Sequence, residues 1–177
     1  FCIPEASGLA LYAPTFRGGG RSDFLGMDFA RLKGMLEADG SPWTIGARLH
    51  PNVINAADAD GVVAMSDYPD MQELLAAADL LITDYSSAMF DFAMLERPCL
   101  LYATDIEKYD RGYYFRFDEL PFPLARTQEE LINELASFDR SEYDKEVKTF
   151  FDTNIGIYDD GHASEAIAAW MISRSIS

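Results

Sequence analysis

The chain has 177 residues, 49% of them hydrophobic, with 30 acidic against 14 basic side chains and a formal net charge of −16. That length fits one domain with its own core, and the acidity argues against nucleic acid as a partner and against docking on anionic lipid by charge alone. An anionic ligand would need positive groups gathered locally, which gives weight to each Arg and His beside a loop.

The two cysteines, Cys2 and Cys99, stand far apart and make no disulfide framework, so a reducing compartment is expected. No apolar run reaches the roughly 18 residues that cross a bilayer, and no signal peptide is visible. The first residue is Phe, so the chain is expected to be a fragment of a longer protein.

Strand and helix patterns alternate. "LALYAP" (9–14) reads as a buried strand and "FRGGGRSD" as a Gly-rich loop. Phe29, Leu32, Met35 and Leu36 have helical spacing within 28–38. "WTIGARLHP" (43–51) reads as a strand ending at the His-Pro pair, "GVVAMS" (61–66) as another short strand, and "DMQELLAAAD" as a helix. "LLIT" (80–83) is an apolar strand, a helix follows over 86–96 with Pro98 helping to end it, and "CLLYA" (99–103) is another strand. Residues 105–123 read as a long aromatic loop with room for one short strand, whose rings form a small core or meet the acceptor or a partner domain. A helix over 127–138 opens with a capping box, Thr127 and Glu130. Two more helices cover 141–152 and 161–174; the last either closes the core or packs on another domain through Ala163, Ile167 and Trp170.

This alternation, with uninterrupted apolar strands, predicts an α/β fold: a Rossmann-like parallel sheet with helices on both faces. Ligands of such sheets sit outside the carboxyl ends of the strands, near the reversal in strand order. Those ends carry "PTFRGGG", "RLHP", "SDYPD" and "TDYSS".

In "TDYSS" a helix starts at Ser86 or Ser87, where free N–H groups and two hydroxyls suit a phosphate; a plain N-cap is the other reading. Asp91 lies four residues beyond Ser87, about 5–6 Å along the same face, close to the step from a diphosphate to its ribose. Pairing with an Arg, or the first turn's preference for acids, would also account for Asp91. In "RLHP", Arg48 and His50 point to one side, and both can donate to phosphate. His50 is one of two histidines and can also move a proton, although a lone His is often structural. In "PTFRGGGR" the glycines admit a close ligand and Arg17 can reach a phosphate, or the segment is a surface turn. It matches neither the P-loop nor the dinucleotide fingerprint. Ser66, Asp67 and Tyr68 either line a base pocket or form a helix-entry loop. No ligand-spaced cluster of His, Cys and carboxylates stands out, so neither a metal nor a cofactor is expected.

Together, "LYAPTFR", "RLHP", "SDYPDMQELLAAADLLITDYSSAMFDFAMLERPCLLY" and "DDGHAS" resemble the C-terminal part of the CDP-glycerol glycerophosphotransferases, the teichoic-acid polymerases and primases. More distantly, the strand–Ser–Ser–helix–acid arrangement is similar to the C-terminal half of a GT-B glycosyltransferase. The resemblance implies a single CDP-glycerol-binding domain over 1–177. It implies transfer of glycerol phosphate from CDP-glycerol to a hydroxyl of a lipid-linked or polyol-phosphate acceptor, at the cytoplasmic face of the cell membrane. It places Thr15, Phe16 and Arg17 by the donor, His50 as catalytic or phosphate-stabilising histidine, Ser86 and Ser87 on the diphosphate and Asp91 on the ribose. A second histidine, acting as base, would belong to an N-terminal domain absent here. His162 stands where the family often carries Lys. A UDP-sugar glycosyltransferase and a non-catalytic nucleotide-binding module remain the rival expectations.

Overall fold

A computed structural model of the protein describes residues 3–15, 26–49, 61–108, 114–156 and 161–175. Among these, six strands form one parallel sheet: β1 (Gly8–Tyr12), β2 (Trp43–Ala47), β3 (Val62–Ala64), β4 (Leu80–Thr83), β5 (Cys99–Tyr102) and β6 (Leu124–Ala125). Their order is β3-β2-β1-β4-β5-β6. The chain therefore winds outward one way from β1 and returns to wind the other way from β4.

Both faces are covered, as the apolar strands require. Alternation along β1 sends Leu9, Leu11 and Ala13 to one face and Ala10 and Tyr12 to the other. The first face packs on α2 (Met71–Ala77), α3 (Ala88–Ala93) and α5 (Arg140–Phe150) through Leu74, Phe92 and Phe150. The second packs on α1 (Phe29–Leu36) and α4 (Gln128–Ala136) through Leu32 and Leu131. Gly46 of β2 has a packing reason: a Cβ there would lie 2.5 Å from Met65 Sδ, and Met65 is wholly buried.

Short polar side chains start the helices. Asp28, Asp70, Thr127 and Asp139 accept N–H bonds at the starts of α1, α2, α4 and α5. The capping box expected at Thr127 is half formed. Thr127 accepts from the Glu130 N–H, while Glu130 reaches past it to the Arg126 N–H (2.6 Å).

The aromatic segment before β6 contributes to the core. Phe90 of α3 stacks on Phe150 and meets Phe115 and Phe122 edge-on, and Phe115 also packs on Phe150. Tyr114 is fully exposed, and Tyr109 and Tyr113 lie outside the described residues. The last helix, α6 (Ala163–Ser175), does not close the core: Ile167, Trp170, Met171 and Ile172 are each more than half exposed. No helix among the described residues is long and apolar enough to cross a membrane.

Candidate functional site

Strand order reverses between β1 and β4, and that reversal opens a crevice at the strands' carboxyl ends. Register brings the relevant residues to one edge. Tyr12 lies opposite both Ala47 and Ile82, and Ala47 opposite Ala64. The segments that follow, beginning at Ala13, Arg48, Met65 and Asp84, therefore leave the sheet side by side.

Side chains extend the ladder past the strands. The Ala13 N–H donates to the Ile82 carbonyl, and the Thr83 hydroxyl to the Ala13 carbonyl (2.7 Å). One residue on, Asp84 is wholly buried, and its Oδ1 accepts from the Thr15 N–H (2.8 Å) and the Tyr85 N–H (2.6 Å). Thr15 thus stands on the opposite wall from "TDYSS".

Beyond Asp84 the chain turns into α3. Ser87 is the N-cap residue, yet its backbone is already helical and its side chain makes no capping bond. The Ser86 Oγ accepts from the Ala88 N–H instead (3.3 Å). Met89, Phe92 and Ala93 point into the core, while Ser87 and Asp91 are exposed. Helical geometry puts those two polar side chains on one face, and among the described residues neither has a side-chain partner. The helix is shorter than the 86–96 expected, because Glu96 turns left-handed at φ 56°. Tyr85 leans toward β5: its hydroxyl donates to Asp105 Oδ1 (2.9 Å) and its ring meets Phe117 edge-on.

On the other side of β1, the Arg48 N–H continues the ladder onto the Tyr12 carbonyl (2.9 Å), and its Nη2 donates to the Tyr68 carbonyl (3.3 Å). Arg48 Nε is buried with no hydrogen-bond partner among the described residues. The Leu49 N–H donates to Ser66 Oγ (3.0 Å), so Ser66 anchors the end of "RLHP" to the loop after β3. Asp67 is exposed. The Tyr68 hydroxyl donates to Glu73, whose carboxylate holds the phenol above its ordinary range. His50, Phe16 and Arg17 lie outside the described residues.

Thr15, Ser86, Ser87 and Asp91 therefore surround the switch point, with Arg48 and Ser66 at the neighbouring strand ends. Asp84 was missed as a site residue, although a carboxylate directly after an apolar strand was visible in the sequence. A groove of about 300 Å³ lies elsewhere, between α5 and Leu120–Pro123. Glu134, Asp139, Glu142 and Glu146 line it, and such a lining repels an anionic ligand.

A doubly wound parallel sheet with the Ser87 hydroxyl and the Asp91 carboxylate exposed beside its switch point belongs to the Rossmann-like class. The chain belongs to the CDP-Glycerol:Poly(glycerophosphate) glycerophosphotransferase family, which it matches over residues 1–173. It is 35% identical over 178 residues to the teichoic acid glycerol-phosphate transferase of Staphylococcus aureus (strain NCTC 8325), covering 93% of this chain and 45% of that protein. With the teichoic acid ribitol-phosphate primase of Bacillus spizizenii (strain ATCC 23059 / NRRL B-14472 / W23) it shares 33% over 172 residues, 92% of this chain and 43% of the relative. Among solved structures, the wall teichoic acid polymerase TagF superposes with a TM-score of 0.78 at 31% identity, over 98% of this chain and 45% of that one. A variant of the same polymerase soaked with CDPG gives 0.77 at 33%, over 97% and 44%. The chain thus spans under half the length of each of these proteins.

Proposed function

We propose that this chain is the donor-binding half of a longer enzyme that transfers glycerol phosphate from CDP-glycerol to a hydroxyl of a lipid-linked or polyol-phosphate acceptor in teichoic-acid-type polymer synthesis. The observation that carries this reading is the pair Ser87 and Asp91, exposed on one face of α3 beside the switch point of a family domain. Ser86 and Ser87 take the diphosphate, and Asp91 accepts from the ribose hydroxyls. Thr15 lies on the opposite wall, and Phe16 and Arg17 are assigned to the donor with it. Arg48 and His50 are assigned to the phosphates, and Ser66 and Asp67 to the base.

In the reaction the acceptor hydroxyl attacks the phosphorus that bears glycerol. A new P–O bond forms, the bond from that phosphorus to the bridging oxygen breaks, and CMP leaves with the electron pair. The hydroxyl proton passes to a base supplied by the rest of the longer protein. Charge grows on the bridging and non-bridging oxygens, and fixed donors aimed at it lower the barrier. His50, Arg17, Arg48 and the serines are those donors. The enzyme works at the inner face of the cell membrane, where a lipid-linked acceptor is met.

The ribitol-phosphate relative supports a second reading, in which the same site holds CDP-ribitol. Calorimetric titration of this chain with CDP-glycerol, CDP-ribitol, UDP-N-acetylglucosamine and CMP separates the donors. Uptake of both cytidine compounds and CMP, with CDP-glycerol tightest, is expected. Preference for the UDP-sugar would remove the cytidine reading, and no uptake of any nucleotide would remove donor binding altogether.

A further inference from the structure

We propose that Asp84 is a positioning residue of the donor site: its buried carboxylate ties the loop after β1 to the turn before α3 and so sets the width of the crevice between them. This rests on the donor-binding reading above and adds to it a residue that never touches the ligand.

Asp84 is 0% exposed. A carboxylate withdrawn from water persists only where donors satisfy it. Two of them are backbone N–H groups on opposite walls of the crevice, those of Thr15 and Tyr85, both on Oδ1. Thr15 is 69 positions away in sequence, and Phe16 and Arg17 follow it directly. Tyr85 directly precedes Ser86 and Ser87. One oxygen therefore fixes the starting points of both segments assigned to the donor. The Thr83 hydroxyl on the Ala13 carbonyl makes a parallel tie one residue nearer the sheet. Past Thr83 the main-chain ladder between β1 and β4 has ended, since the connections leave in opposite directions, and side chains take over the pairing.

Because Oδ1 accepts both of these bonds, an amide can preserve them. Asn at this position keeps an oxygen for both N–H groups, whereas Ala leaves two donors without an acceptor. A role confined to global stability would lower the folded fraction and leave the affinity of the folded molecules unchanged.

The test is calorimetric titration of CDP-glycerol into the wild-type chain, Asp84→Ala and Asp84→Asn, with NMR-detected amide exchange at Thr15 and Leu81. Asp84→Ala should bind roughly tenfold or more weakly, with faster exchange at Thr15 and unaltered exchange at Leu81 inside β4. Asp84→Asn should restore both to within about threefold of wild type. If Asp84→Ala does not fold, Asp84→Ser takes its place, being polar but too short to reach the Thr15 N–H. Wild-type binding with an Ala or Ser variant within threefold of it overturns the positioning role alone, as does an Asn variant that restores nothing. A wild-type chain that binds neither CDP-glycerol nor CMP overturns the donor reading, and this inference with it.

Discussion

Ser87 and Asp91 stand one helical turn apart on the exposed side of α3, while Met89, Phe92 and Ala93 between and beyond them fill the core. Among the described residues neither polar side chain has a partner, although Asp91 does lie in the first turn of α3, where the helix dipole weakly favours an acid. Asp91→Ala should therefore leave thermal stability within about 0.5 kcal/mol of wild type, as for an unpartnered surface substitution. Affinity for CDP-glycerol should fall by about 1.5–3 kcal/mol, the worth of hydrogen bonds to a charged group. Thermal melts and calorimetry on the same sample check both, and a large loss of melting temperature with intact affinity would make Asp91 structural.

Ser87 separates two roles that the sequence left open. An N-cap serine whose side chain bonds the helix contributes about 0.5–2 kcal/mol, but the Ser87 side chain makes no such bond. Ser87→Ala should thus cost almost no stability in urea denaturation while weakening CDP-glycerol binding. The converse pattern would return Ser87 to a capping role.

His50 follows directly on Leu49, whose N–H is held by Ser66. In the longer enzyme, His50→Ala should lower kcat by about 10²–10³, the loss seen when one donor to a developing oxyanion is removed. Donor binding should survive. Steady-state kinetics together with CDP-glycerol titration decide it, and turnover within a few-fold of wild type would exclude a catalytic histidine.

Alkaline pH should weaken the fold through β5. Burial pushes up the Cys99 thiol and, more than any other cause, the Tyr143 phenol. The Tyr143 hydroxyl accepts from the Cys99 N–H (3.0 Å) and donates to the Arg97 carbonyl (3.2 Å). Both groups are neutral when protonated and have folded values above their unfolded ones. Their contribution is therefore complete below the unfolded values, about 8.5 for the thiol and 10 for the phenol, and is lost progressively as pH rises from each of these toward the higher folded value. Urea midpoints should hold to about pH 8.5 and then fall, and Cys99→Ala should postpone the onset toward pH 10. A midpoint flat to pH 10 in the wild-type chain would show that the Cys99 thiol does not titrate differently on folding.

Much of the fold was legible because its strands are buried on both faces. "LLIT" carries no polar residue before Thr83, and β4 forms as Leu80–Thr83, as expected. β2 was read past its end. "RLHP" continues the strand-like sequence, but the last paired residue is Ala47, and among the described residues Arg48 and Leu49 lie outside the strand. β6 is two residues long, its entry marked by the Pro123 carbonyl accepting from the Leu101 N–H; no periodicity can announce a strand so short. At the site, Ser87 and Asp91 were readable because four residues make one turn of one helix. The Asp84 tie was not, because its partner lies 69 positions away. The apolar residues of α6 announced a helix but not its surroundings, and the structure leaves them exposed.

The most direct measurement is a crystal structure of this chain with CDP-glycerol bound. The diphosphate should lie against the Ser86 and Ser87 hydroxyls, with the ribose hydroxyls on the Asp91 carboxylate and Thr15 on the opposite wall. A nucleotide lodged away from the start of α3, or one whose ribose points away from Asp91, would contradict donor binding at the switch point.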